Sequence, residues 1–263
     1  MKIAVVDQTV NHGGGSRVLR KLLPSFLKID KNIQIDLFAN SNGLKRENFI
    51  EFKKNNLNIK ELESLKLNNT QFLNKYKINK IFNILRVKFP KMINFFSFYI
   101  SGNLKAELEK KLVNYDIVYF PWPFLIECPN LKIPIFATFH DFNFKYYFSA
   151  SPIFSKERSN FLNKEMPKWL KKATPIVSNN FIKKEIIKFY PGIKKKINVI
   201  NLASYSEGAK TYSKKKKNYI ICPTNLASHK NLGPLLVGFY FLTKKIKKIR
   251  LILTGPNTEE ING

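Results

Sequence analysis

The chain has 263 residues, of which 44% are hydrophobic and 14% aromatic, enough to build a real core and to exclude disorder over most of the length. Lys and Arg number 46 against 18 Asp and Glu, a formal net charge of +28, so anionic company is expected: nucleic acid, lipid head groups or phosphorylated substrates. Only six of the 46 are Arg, and a Lys-, Asn-, Ile- and Phe-rich composition is equally the product of an AT-rich coding bias, so charge alone names no partner. Two widely separated cysteines, Cys128 and Cys222, exclude a disulfide scaffold or a cysteine zinc site and fit a reducing compartment.

The chain opens with Ile3-Ala4-Val5-Val6, a buried strand too short for the apolar region of a signal peptide. A glycine turn follows, then Val18, Leu19, Leu22, Leu23, Phe26 and Leu27 at helical spacing, then the alternating strand Ile33–Phe38. This is a parallel βαβ start. Further strands are expected at Asp116–Phe120, Pro134–Phe139, Thr174–Ser178 and Ile197–Ile200, with helices near 155–172 and 179–190. The fold class is therefore α/β, a doubly wound, Rossmann-like parallel-sheet domain over residues 1–200. Within 71–100, Ile78, Ile81, Phe82 and Leu85 share a helical face amid Lys75, Lys77, Lys80, Arg86 and Lys88. Such a face either packs on the sheet or lies on an anionic membrane. The longest apolar stretch, Met92–Ile100, is too short to span a bilayer. Residues 201–217, with the run Lys214–Lys217, read as a solvated linker. A second βαβ then begins: strand Tyr219–Cys222, helix Leu232–Ile246, strand Leu251–Leu253. At 218–263 it is expected to be the incomplete first part of a second Rossmann-like domain.

The residues that can carry chemistry sit after strands. Gly13-Gly14-Gly15 leads into the first helix, where bare backbone N–H groups and the helix dipole suit a phosphate or the close approach of a sugar. It is not a dinucleotide fingerprint, because Val18 stands where the third glycine belongs and Asp36 does not end the second strand. His140-Asp141 follows the strand ending in Phe139, placing an imidazole to donate to a hydroxyl or phosphate and a carboxylate to orient a sugar hydroxyl. Ser178-Asn179-Asn180 occupies a similar edge and is equally explained as a helix N-cap. In the second unit, Asn225, His229 and Lys230 precede a helix, and a lysine at a helix start opposes the dipole unless an anion is near. Gly255-Pro256-Asn257 follows the next strand. If the units face each other, all these loops border one cleft.

The glycine loop, the strand-end His-Asp, "V-S-N-N-F-I-K-K-E-I", "I-N-V-I", "C-P-T-N-L-A-S-H-K-N-L" and "L-I-L-T-G-P" occur in this order. Together they resemble the retaining, nucleotide-sugar-dependent glycosyltransferases of family 4, which have the GT-B fold of two Rossmann-like domains. The resemblance is weakest between 41 and 100 and most specific at 219–256. It implies an acceptor-binding N-terminal domain and a C-terminal domain for a nucleoside-diphosphate sugar, with no cofactor and no obligatory metal. By position, Gly14 and Gly15 would border acceptor and sugar, and His140 with Asp141 would form the catalytic pair. Lys230, with His229 and Asn225, would hold the donor diphosphate. Asn225 stands where many relatives carry arginine. The family's paired donor-site glutamates would lie beyond residue 263, so these residues alone are not expected to turn over. The expected acceptor is a glycan or lipid-linked precursor of surface polysaccharide. The expected location is cytoplasmic, peripheral at the inner face of the plasma membrane. The alternatives are a non-catalytic remnant that keeps acceptor or membrane binding and, with no recognised motif to support it, a nucleic-acid binder.

Overall fold

Parallel strands buried on both faces need near-continuous apolar runs, and the first strand supplies one. In the computed structural model, β1 (Lys2–Asp7) buries Ala4, Val5 and Val6 completely. The structure describes residues 1–7, 14–39, 57–62, 104–123, 126–146, 156–202, 218–224 and 230–255. The basic segment 71–100, most of the 201–217 linker, Gly13, Asn225 and His229 lie outside these residues.

Contacts divide the chain into two units, Met1–Phe142 with Asn160–Leu202, and Asn143–Ser159 with Ala203–Gly263. The elements of the first unit are β1, α1 (Gly14–Ile29), β2 (Gln34–Ala39), β3 (Leu57–Glu61), β4 (Ile117–Phe120) and β5 (Ile135–Phe139). The α2 turn (Asn143–Tyr146) and the first residues of α3 (Lys156–Lys172) belong to the second unit. The rest of α3, with β6 (Thr174–Val177), α4 (Asn180–Phe189) and β7 (Asn198–Val199), belongs to the first. Among the described residues, β1 to β7 form one sheet in the order β3-β2-β1-β4-β5-β6-β7, every pair parallel. The order reverses at β1, which makes the fold Rossmann-like. Within the described residues, the strands and helices expected from the sequence are present. Three elements are additional: β3, whose only apolar residues are Leu57 and Ile59, the α2 turn, and a helical stretch at 104–111.

One face of the sheet is covered by α1, whose Leu19 and Leu23 pack with Ile3, Val5, Ile35, Leu37 and Leu57. Each such buried side chain contributes about 1.5–3 kcal/mol of transfer free energy. The other face carries a charge. Asp36, fully buried in the middle of β2, receives the Lys60 amine at 2.7 Å, the Asn58 amide at 2.9 Å and the Tyr115 hydroxyl. Burial alone would raise the Asp36 pKa, but the hydrogen bonds from Lys60, Tyr115 and Asn58 outweigh it and hold the carboxyl below its ordinary value.

Between β4 and β5 the described chain crosses without a helix, stapled by α3. Trp169 donates its indole N–H to the Ile126 carbonyl at 3.0 Å and packs edge-on against Phe120, while Glu165 accepts from the Cys128 amide at 3.1 Å. Burial pushes the Cys128 thiol up to about 11, so it stays protonated and unreactive.

The second unit contains β8 (Tyr219–Pro223), α5 (Leu232–Lys245) and β9 (Arg250–Thr254), with β8 and β9 parallel. Two strands and one helix cannot enclose a core. No residue of α5 is buried, and Ile221, Val237, Tyr240 and Phe241 are each more than half exposed. Among the described residues, no helix is long and apolar enough to cross a membrane.

Asp36→Ala strands the buried hydroxyl of Tyr115 and is expected to cost about 2–4 kcal/mol in urea unfolding. Because the folded pKa of Asp36 is depressed, its contribution is complete above about pH 4 and is lost as pH falls below that. The gap in stability between wild type and the variant should therefore shrink in acid.

Candidate functional site

In a parallel sheet the carboxyl ends of all strands lie along one edge, and the reversal at β1 opens a crevice between β1 and β4. The register pairs Val5 with Tyr119 and Tyr119 with Phe136. By alternation, Asp7, Tyr119 and Thr138 share the face covered by α1, and His140 follows in the same phase just beyond β5. Asp7 is buried at the end of β1, and Gly14 and Gly15 form the first turn of α1, which has no acidic residue there. An N-terminus without a carboxylate leaves the dipole available to an incoming anion or polar group.

His140 is half-buried against Trp122, the rings stacked with centroids 4.9 Å apart and planes 20° from parallel. Its Nε2 lies 2.9 Å from the Pro121 carbonyl oxygen. A carbonyl can only accept, so Nε2 carries the proton. Burial lowers the His140 pKa, against smaller opposing contributions from that carbonyl and from Asp141, so the ring is neutral at pH 7 and Nδ1 presents a lone pair. The imidazole is thus built to accept a hydrogen bond through Nδ1. The donor role expected from the sequence requires protonation, which the site disfavours. Asp141 is half-buried beside it. Beneath, the Tyr119 hydroxyl and Thr138 Oγ1 are 2.8 Å apart. Burial raises the Tyr119 pKa, partly offset by the bond to Thr138 and reinforced by Asp7, so the phenol remains neutral.

Asn179 has the bland role. Its Oδ1 accepts from the Ile182 amide at 3.0 Å as the N-cap of α4. In the second unit Lys230 is exposed in the turn ahead of α5. The N-cap of that helix, Asn231, is left-handed (φ 47°, ψ 54°) and makes no side-chain capping bond, and the first turn has no acid. Gly255, at φ +144°, follows β9 so closely on Thr224 that a Cβ would lie 1.7 Å from the Thr224 carbonyl oxygen. His229 and Asn225 lie outside the described residues.

Trp122, Asp7, Tyr119 and Thr138 escaped the sequence reading. Trp122 had one available signal, a tryptophan between two prolines directly after a strand. The Tyr119–Thr138 pair had none, because it arises from strand register. Among the described residues, no three His, Cys, Asp or Glu side chains gather as metal ligands. No protein-family model matches this chain, and no curated protein matches it.

Because the His140 pKa is depressed in the folded state, its contribution to stability is complete above about pH 6.5 and is lost as pH falls through that value. An NMR titration should place its midpoint below that of an unfolded-chain histidine. Gly255→Ala combines strain with a backbone clash and should destabilise the second unit by more than about 1 kcal/mol, read as loss of hydrogen-exchange protection in β8 and β9.

Proposed function

We propose that the chain is a retaining glycosyltransferase of the GT-B class, taking a sugar from a nucleoside diphosphate to a glycan or lipid-linked acceptor at the cytosolic face of a membrane. The observation that carries this reading is the start of α5. An uncapped helix N-terminus with no acid in its first turn and an exposed Lys230 ahead of it is electrostatically unfinished. A diphosphate completes it, through backbone N–H groups and a lysine charge. The close approach of Gly255 to Thr224 at the neighbouring strand ends supports the same placement.

In this reading Lys230 neutralises the leaving diphosphate, assisted by His229 and Asn225. The His140 Nδ1 accepts from a sugar hydroxyl, and Trp122 holds the ring in place. Asp141 orients a second hydroxyl, and Gly14 and Gly15 allow the acceptor to approach the backbone. The anomeric C–O bond to the diphosphate breaks with its electron pair staying on phosphate. The acceptor oxygen bonds the same face of the anomeric carbon, and its proton passes to the departing oxygen. Stabilising the diphosphate as charge develops is the main electrostatic task. The exposed apolar residues of the second unit are what the opening βαβ of a larger parallel sheet would present.

Calorimetric titration with UDP and GDP tests the donor half. Binding of one of them, weakened about tenfold or more by Lys230→Ala, is the expected result. Absence of binding to either at millimolar concentration, or indifference to the substitution, would refute the assignment. In a protein that also carries the paired donor-site glutamates, His140→Ala should lower transfer from labelled nucleoside-diphosphate sugars to a membrane acceptor fraction by about a hundredfold.

A further inference from the structure

Helices in a parallel fold run back to the opposite edge of the sheet, and there the first unit has a second concavity. A cavity of about 610 Å3 opens where α3 ends and where the chain leaves α4. It is lined by Pro167, Leu170 and Lys171 of α3 and by Tyr190, Gly192, Ile193, Lys194 and Lys195. Because α3 leads into β6 and the 190–197 turn leads into β7, this is the amino edge of the sheet, away from His140.

The lining has two characters. Leu170 is fully buried, and Tyr190 and Ile193 are half-buried, so the floor is apolar. Tyr190 packs against Phe142 with ring centroids 6.0 Å apart, and burial raises its pKa, which keeps the phenol neutral. Lys171, Lys194 and Lys195 are exposed at the rim, and among the described residues no acidic side chain lines the cavity. Lysines at helix C-termini have an ordinary use, and Lys195 shows it by donating to the Lys172 carbonyl at 2.5 Å. That use accounts for one amine. It does not account for an apolar floor of ligand-pocket volume beneath the other two. Apart from the Tyr190 hydroxyl, the side chains of this floor offer nothing to the hydroxyls of a sugar or the edges of a base, whereas they suit hydrocarbon.

We propose that this cavity binds an amphiphilic anion, with an acyl chain against Leu170, Tyr190 and Ile193 and a phosphate or carboxylate head between Lys171 and Lys194. The ligand is either a lipid drawn from an anionic membrane or a free acyl anion, and the experiment separates the two.

Dodecyl phosphate below its micelle concentration is titrated into the protein by calorimetry. In parallel, co-sedimentation is measured with phosphatidylcholine vesicles with and without phosphatidylglycerol. Gly192→Trp places an indole at the cavity wall, where a Cβ meets nothing within 4 Å. Lys194→Glu reverses one rim charge, and Lys110→Glu makes the same change at an exposed position on the 104–111 helix. Gly192→Trp and Lys194→Glu should each weaken binding about tenfold or more while Lys110→Glu leaves it intact. Binding of dodecyl phosphate alone identifies a free amphiphile, and binding of phosphatidylglycerol vesicles identifies a membrane source. The proposal is overturned if wild type binds neither probe, or if Lys110→Glu weakens binding as much as Lys194→Glu. Should Gly192→Trp fail to fold by circular dichroism, the two surface charge reversals decide the matter.

Discussion

Parallel pairing is the constraint from which the rest of the first unit follows. A parallel neighbour is reached only by a crossover, so each strand must return across a face of the sheet before the next begins. All carboxyl ends then fall on one edge and all amino ends on the other. The reversal of strand order at β1 parts the crossovers at the edge where β1 ends in Asp7 and where Trp122 and His140 stack after β4 and β5. The same constraint delivers the ends of α3 and α4 to the opposite edge, where lysines and an apolar floor meet. The two candidate sites are opposite ends of one architecture.

Within that frame, several buried polar groups that resemble chemistry serve packing. Asp36 is held by Lys60, Asn58 and Tyr115 in the middle of β2, too far from the strand's carboxyl end to meet a ribose. This agrees with the absence of a dinucleotide glycine pattern. Lys60 keeps 44% of its side chain in water, so the pair avoids the full desolvation of a doubly buried bridge. Cys128, with its thiol pushed up by burial, is a filler beneath the β4–β5 crossing. Glu165 is occupied by the Cys128 amide and by Lys168.

His140 shows how position and chemistry part company. Its place after an apolar strand marked it as an edge residue, but which nitrogen faces a ligand depends on the Pro121 carbonyl, nineteen residues away in sequence. That carbonyl, the Trp122 ring and burial together select a neutral acceptor. The two units also differ in how far they satisfy their hydrophobic residues. The first encloses Leu19, Leu23, Trp169 and Phe120 completely, whereas α5 buries none of its side chains.

The sequence by itself determined the element types, their order and the edge on which the polar loops fall. Those follow from local periodicity, from glycine after β1 and from the short loops that force crossovers. It also marked Asn179 as a possible cap, because capping is a contact across three residues. Only the tertiary structure decided the partners of Asp36, the Tyr119–Thr138 bond, the tautomer of His140 and the existence of β3 as an edge strand. Each of these depends on register between segments far apart in the chain. Periodicity describes which face a residue takes, but it carries no information about which residue of another strand stands opposite.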